Sequence, residues 1–386
     1  MSRQRGRVVR LGIVTALALV SARGIEAHKA ITSKYTYNDD VFPILRDNCG
    51  SCHVDGGAAP MSLMTYSVPS GAVAWAESIR ENLVAEAMPP WYADPEGPAV
   101  RGGHALSPRD LDVVLTWATG GTPQGDLRKS PAPVSLHSDW PLGKPDATLD
   151  LPNQTTLGPG KMETTADFTV ASRFTEARWV KAVDLLPSTP SIVRSATVAV
   201  EHGPLLAIWE PGGDRVGASV GTAFKVPAGA NLLIHIRYKK SYVDEQATKT
   251  DRSQLGIYFA GVSPLPKEIE SSSVAGPEAG TVIGSPSKFS AKFERAGRVI
   301  AVRPSVDKAY ASMAVDALSP SGNRTALLRL RGIRPEWPRR YWLADPIEVP
   351  AGATIEVSGV PGDPDSGPLT APVKSSLEVA LDFIAN

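Results

Sequence analysis

The sequence predicts a multidomain α + β protein in which an all-α domain is followed by two tandem antiparallel β-sandwiches. Residues 36–126 carry apolar side chains at helical spacing, whereas short alternating apolar runs punctuated by glycine and proline follow residue 147. The stretch 127–147 contains four prolines and few apolar clusters, which is typical of a linker. We place the sandwiches at 148–270 and 285–386.

A repeated motif supports the tandem arrangement. The five residues VPAGA occur at 226–230 and again at 349–353, each time immediately before an apolar run with strand character. Duplication of one sandwich explains this identity in matching context. A convergent turn is the alternative, because Pro-Ala-Gly is a common entry into a strand.

Three helices are expected in the first domain. Asp39 or Asp40 can cap a short helix that leads to the cysteine pair considered next. A second helix is predicted from about residue 71 to 87 by its apolar spacing. The third has the clearest limits, because Ser107 and Pro108 form an N-terminal cap and two glycines follow its last apolar residue.

The segment Cys49-Gly-Ser-Cys52-His53 has the spacing of a covalent haem attachment site. Two thiols three positions apart can bond to both vinyl groups of one porphyrin, and the adjacent imidazole can bind the iron. A disulfide or half of a zinc site are the alternatives, but zinc needs about four ligands and the chain has only two cysteines. We predict one covalent haem c held by Cys49 and Cys52, with His53 as axial ligand.

Met88 is the predicted sixth ligand of the iron. It precedes two prolines and Trp91, and the prolines stiffen an extended loop that could hold the thioether in place. This loop and the later helix containing Trp117 resemble the sixth-ligand loop and closing helix of class I cytochromes c. This resemblance implies that residues 36–126 form a cytochrome c domain. The alternative ligands are Met61, Met64 and a histidine such as His104.

The N-terminus predicts export. Residues 1–10 contain four arginines, residues 11–22 are apolar, and small residues near Ala22 or Ala27 offer a cleavage site. This pattern is typical of a Sec-type signal peptide at 1–27 and indicates the periplasm. The apolar run is shorter than the roughly 20 residues that span a bilayer, so we expect no transmembrane segment in the mature chain.

The composition limits the classes of molecule that are expected to bind the chain. The chain has 40 basic and 40 acidic residues, and removal of the arginine-rich leader leaves a slightly acidic protein. Nucleic acid is therefore not expected as a partner. With both cysteines assigned to haem, no disulfide remains to stabilise the sandwiches.

The mature chain resembles bacterial proteins in which a cytochrome c domain precedes a module like the copper type II, ascorbate-dependent monooxygenases. The motifs that carry this resemblance are residues 59–63, 88–91, 142–146, 251–258 and 349–352. In that family two copper ions bind to histidines and one methionine of the two sandwiches. The resemblance therefore implies a copper module fused to its own electron donor.

The copper positions do not carry copper donors here. Aligned with the family's ligands are Arg194, Ser195, Arg237, Ser305, Asp307 and Val379. A guanidinium has no lone pair for a metal, and only the aspartate is a plausible, poor copper ligand. We therefore expect a degenerate scaffold without copper. Arg194 and Arg237 could instead bind an anion, or could simply be solvated.

Three histidines leave other copper sites open. His202 and His235 lie in the first sandwich, where one relocated copper could bind. His28 would become the mature N-terminus after cleavage at Ala27, and its amine and ring could chelate copper. Ordinary hydrogen-bonding or surface histidines are the competing interpretation.

These observations predict an exported monohaem c-type cytochrome that transfers electrons to or from a periplasmic redox protein or complex. An electron carrier is favoured over an enzyme because the copper ligands are replaced. The alternatives are a copper-dependent monooxygenase with its own cytochrome, and a haem-bearing structural subunit of a periplasmic complex.

Overall fold

A computed structural model describes residues 32–67, 70–90, 93–102, 106–136, 139–213, 217–276, 281–282, 286–362 and 374–386. The predicted signal peptide, His28, Trp91 and His104 lie outside these residues.

The described residues form three α-helices: α1 (Phe42–Asn48), α2 (Ala76–Val84) and α3 (Pro108–Thr119). Their strands are β1 (Val100–Arg101), β2 (Ala147–Asp150), β3 (Thr155–Leu157), β4 (Glu163–Ala171), β5 (Arg178–Leu186), β6 (Val193–Val200), β7 (Leu205–Trp209), β8 (Thr222–Val226), β9 (Asn231–Lys239), β10 (Lys249–Asp251), β11 (Gln254–Phe259), β12 (Lys267–Glu268), β13 (Glu270–Ala275), β14 (Thr281–Val282), β15 (Ser287–Phe293), β16 (Gly297–Val306), β17 (Tyr310–Leu318), β18 (Arg324–Ile333), β19 (Tyr341–Val349), β20 (Ala353–Pro361), β21 (Lys374–Ser375) and β22 (Leu377–Ala385).

The predicted fold class is wrong, because the chain does not open with an all-α cytochrome c domain. The three helices have only 7, 9 and 12 residues, and antiparallel sheets dominate the described chain. The antiparallel sheets themselves fit a fold rich in β-sandwiches.

The segment between α2 and α3 explains the error. Val100 and Arg101 pair with Leu343 and Trp342 of β19, and Ala93 bridges to Leu330 of β18. An edge strand offers unpaired N–H and C=O groups, and this segment satisfies them. The pairing joins residues far apart in sequence, so helical spacing within 36–126 could not reveal it.

The first sandwich packs the sheet β4-β9-β6-β7 against the sheet β12-β8-β5-β11-β2. The second packs β15-β20-β17-β18 against β1-β19-β16-β22-β13. The strand orders correspond position by position, and only the outermost strand differs: β12 is parallel to β8, whereas β1 is antiparallel to β19.

The two VPAGA motifs occupy equivalent turns. One joins β8 to β9 and the other joins β19 to β20, with Gly229 and Gly352 at φ angles of +66° and +77°. Each glycine N–H donates to a phenylalanine carbonyl, of Phe174 and Phe293 respectively, at 2.8 Å. Identical hydrogen bonds at matching positions favour duplication over a convergent turn.

The helices enclose a small core of their own. Trp117 of α3 is fully buried beside Tyr37, and its indole N–H donates to the carbonyl of Pro123 at 3.1 Å. Ser107 caps α3 as predicted, because its Oγ accepts from the N–H of Asp110 at 3.1 Å.

A buried ion network joins the two sandwiches. Asp382 of β22 is fully buried and accepts from Ser271 and Arg303, and it lies 2.8 Å from Arg340 Nε. The Arg340 guanidinium also donates to the carbonyls of Leu205 and Leu206 in the first sandwich. One arginine therefore connects a carboxylate of the second sandwich to the backbone of the first.

Among the described residues, no helix has the length and apolar character needed to cross a membrane.

Candidate functional site

A cavity of about 610 Å³ lies between the helices and the two sandwiches. On the helical side, the lining residues that bear on a haem site are Cys49, Cys52, His53, Met61 and Met88. The first sandwich contributes Met162, Arg194, residues 210–213, Arg237 and residues 239–242. Glu336, Trp337 and Arg339 of the second sandwich complete the wall.

The end of α1 aims the Cys-x-x-Cys-His side chains at one place. The N–H of Cys49 donates to the carbonyl of Leu45 at 2.8 Å, which closes the helix. The N–H groups of Cys52 and His53 then both donate to the carbonyl of Cys49, at 3.1 and 2.8 Å. This tight turn brings all three side chains to the cavity.

Cys49 and Cys52 do not form a disulfide, and both line a mostly apolar part of the cavity. Burial, with a smaller contribution from the neighbouring Cys52, raises the pKa of Cys49 to about 12. Cys49 is therefore a neutral thiol near pH 7. That protonation state resists both oxidation and metal binding, which require a thiolate.

His53 is held in the form that binds iron. Its Nδ1 lies 3.2 Å from the carbonyl oxygen of Met61 and must donate, because a carbonyl can only accept. Nε2 is then the unprotonated nitrogen of the neutral ring. Burial lowers the pKa of His53, which favours this neutral form near pH 7.

The structure places the three candidate methionine ligands differently. Met88 lines the cavity, and its N–H donates to the carbonyl of Asn82 near the end of α2 at 3.3 Å. Met61 also lines the cavity but belongs to the segment that orients His53. Met64 is 3% exposed and packs in the helical core. Met162 lines the cavity from the first sandwich, and helical spacing could not have found it.

The loop that contains Pro211 and Gly212 of the first sandwich lies against the cysteine motif. Cys52 Sγ donates to the carbonyl of Pro211 at 3.2 Å. A Cβ atom on Gly212 would lie 2.3 Å from Ser51 Oγ and 2.8 Å from Cys52 Sγ, so only glycine allows this approach. The Gly212-Gly213 pair was the available sequence signal, but nothing in the sequence connected it to Cys52.

The positions aligned with copper ligands fall in two separate places. Arg194 and Arg237 line the cavity. Asp307, in contrast, accepts from Ser375 Oγ and the N–H of Ser376 in the second sandwich, at 3.0 and 2.8 Å. Val379 is fully buried in the core of that sandwich, and Ser305 pairs with Glu378 on the neighbouring strand.

Of the other histidines, the structure describes His202 and His235, which lie apart in the first sandwich. His235 on β9 is half exposed, and its Nδ1 lies 2.7 Å from Asp167 of β4. His202 lies in the turn between β6 and β7, at a φ of 57°. Within the described ranges, no three histidine, cysteine or acidic side chains come together as a metal site would require.

No protein-family model and no curated protein sequence matches this chain. Its overlap with a Paenibacillus xanthan lyase is 11% identical, covers 66% of this chain and 28% of that chain, and has a TM-score of 0.18. The PBSX exported protein XepA is 9% identical over 61% of this chain and 86% of its own, with a TM-score of 0.19. VP2 of infectious bursal disease virus is 10% identical over 64% and 72%, with a TM-score of 0.21. These similarities carry no argument about fold or function.

Proposed function

We propose that the chain is a periplasmic monohaem c-type electron carrier, and that its sandwiches form part of the haem pocket. One observation carries the proposal: both thiols and the imidazole of the Cys-x-x-Cys-His motif face one large cavity with Met88 in its lining. The resemblance to a cytochrome joined to a degenerate copper module agrees with this arrangement.

The residues present fit a haem c. The cavity is large enough for a macrocycle, and apolar side chains such as Leu45, Ile79 and Val114 dominate its helical wall. His53 offers an unprotonated nitrogen, and Met88 offers a soft thioether. A pocket that presents two thiols, one imidazole and one thioether matches the attachment and axial ligands of a c-type haem.

Each residue has a defined task in this proposal. Cys49 and Cys52 would each add S–H across one vinyl group, the sulfur to one carbon and the hydrogen to the other, so that no electrons are lost. His53 and Met88 would hold the iron through an imidazole nitrogen and a thioether sulfur. When bound, haem supplies a one-electron Fe(III)/Fe(II) couple. The apolar helical wall would shield one side of the group from water.

Covalent attachment is the direct test. The full chain, expressed with a cytochrome c maturation apparatus, should carry one haem that stays with the polypeptide in acidified organic solvent. The Cys49→Ala/Cys52→Ala double variant is the matched control and should release any haem under the same treatment. Haem that extracts freely from the unmodified chain would refute the proposal.

The same proposal predicts little copper binding, which separates a carrier from a monooxygenase. Copper type II chemistry needs two centres with about three histidine or methionine donors each, and Arg194 and Arg237 cannot serve as donors. The purified haem protein, incubated with excess copper and dialysed, should retain much less than two copper ions per chain. It should also fail to couple ascorbate oxidation to substrate hydroxylation.

The contrary result for copper is equally specific. Tight, stoichiometric copper that is lost on His235→Ala or His202→Ala would overturn the carrier interpretation and favour the enzyme. A haem-bearing structural subunit would instead show itself by co-purification of the native protein in a stable complex.

A further inference from the structure

Three cations cross the first-sandwich wall of the cavity in one row, which we call the cationic row: Arg194, Arg237 and Lys239. Arg194 lies in the bulge of β6 between Val193 and Ser195, and Arg237 pairs with Ser195 on the neighbouring β9. Lys239 follows two residues later on the same face of β9.

The row begins beside the cysteine motif and leads away from it. Pro211, which contacts Cys52, follows the end of β7 by two residues, and β7 pairs with β6, which pairs with β9. Neighbouring strands are about 4.8 Å apart, so β9 lies about 10 Å from the loop on Cys52. This separation is comparable with the width of a porphyrin.

Charge along the row is incompletely balanced. Arg237 and Lys239 share the carboxylate of Glu163, at 3.6 and 4.0 Å. Arg194 Nη1 donates to the carbonyl of Ser191 at 2.9 Å, and in the described part of the chain no carboxylate lies within ion-pair distance of it. The other charged groups in the lining cancel, because Lys240 and Arg339 stand against Glu210 and Glu336. The three cations of the row and the carboxylate of Glu163 therefore leave an excess of two positive charges.

Because Arg194 is largely buried, the excess of positive charge beside it is unfavourable in free energy. Burial lowers the pKa of Arg194 to about 10, the nearby Cys52 opposes this shift, and the adjacent Arg237 adds to it. Cys52 donates its S–H to the carbonyl of Pro211 and is therefore neutral, and a thioether in its place would be neutral as well. After haem attachment the row would therefore gain from an anion supplied by the ligand itself.

Resting on the proposed haem, we propose that the cationic row binds the two haem carboxylates. A porphyrin of the haem type carries its vinyl groups on one edge and its two carboxylates on the opposite edge. Cys49 and Cys52 would hold the first edge, so the carboxylates would extend across the cavity, whose lining includes Arg237 and Lys239. Two carboxylates balance the two surplus charges, and guanidinium is well suited to bidentate carboxylate binding.

The test compares the covalently loaded protein with its Arg237→Gln/Lys239→Gln variant. Resonance Raman spectra should show the carboxylate bending mode of the haem shifted in the variant, because that mode reports hydrogen bonding to the carboxylates. The pH dependence of the reduction potential should also differ between the variant and the unmodified protein. Paired carboxylates stay ionised and keep the potential flat, whereas unpaired ones in this pocket should take up protons as pH falls below about 7.

The direction in which the reduction potential changes follows from the charges near the iron. Without the cations, two unbalanced carboxylates stabilise Fe(III), so the variant should have a lower potential at pH 8. Protonation on acidification removes that negative charge, so its potential should rise as pH falls. Glu163→Gln, which removes the competing carboxylate, should raise the potential of the otherwise unmodified protein.

Arg178→Gln/Lys225→Gln is the matched control, because it also removes two positive charges, but from the other sheet of the first sandwich, where Arg178 pairs with Glu176 and Lys225 lies over the Trp179 ring. Its Raman mode and pH profile should equal those of the unmodified protein. An unchanged Raman mode in the Arg237→Gln/Lys239→Gln variant refutes the inference. This holds even if the reduction potential of the variant is lower by the same amount at every pH, because such a shift would show only that the two charges act on the iron through space. Absence of covalent haem would instead refute the proposed function and is detected before either measurement.

Discussion

Replacing Met88 with alanine should abolish the weak thioether-to-Fe(III) charge-transfer band of the oxidised protein and lower its reduction potential. A thioether favours Fe(II), so its loss stabilises the oxidised state and opens a coordination position. Met88 lines the cavity, which is where such a ligand must be. Absorption spectra and a redox titration of the covalently loaded protein measure both effects.

Three other methionines provide the controls. Met61→Ala should keep the band, because the Met61 carbonyl that orients His53 belongs to the backbone. Met162→Ala should also keep it. Met64→Ala should keep the band but destabilise the protein by about 2–5 kcal/mol, because Met64 is a buried core residue. Loss of the band in the Met61 or Met64 variant, with Met88→Ala retaining it, would contradict the assignment.

Asp382→Asn should cost about 3–5 kcal/mol of unfolding free energy, the range for breaking a buried ion pair by removing one partner. Asp382 is fully buried, and its charge compensates Arg303 and Arg340, neither of which can reach water easily. The asparagine keeps the shape but leaves two buried guanidinium groups short of negative charge. Urea denaturation of the full chain measures the loss.

An exposed pair on the same sandwich is the matched control for Asp382. Glu356 binds Arg324 at 2.5 Å, but both side chains are substantially solvated. Glu356→Gln should therefore change the unfolding free energy by only about 0–1 kcal/mol. Equal effects from the two substitutions would show that the network joining the sandwiches adds no more than a surface pair.

The predictable parts of the structure depended on short stretches of sequence. The limits of α3 follow from Ser107, Pro108 and the following glycines, since caps act within one turn. Cys49, Cys52 and His53 are held by hydrogen bonds within a single tight turn, which sequence spacing encodes directly.

What the sequence could not reveal depends on contacts between distant segments. Cross-strand pairing moved Val100 and Arg101 from an expected helical domain into a sheet with β19. The cavity acquires Pro211 and Trp337 only through tertiary packing. Arg194 and Arg237 were recognised as poor copper donors, but their position on the wall facing Cys52 follows from strand order, which composition and periodicity do not specify.

The pairing of β1 with β19 ties the helical segment to a strand far along the chain, because Val100 pairs with Leu343. A fragment that ended at the linker would lose this pairing and the cavity wall that Trp337 and Arg339 form. The wall facing the cysteine segment therefore exists only in the folded full chain, and the proposed haem attachment has to be measured there.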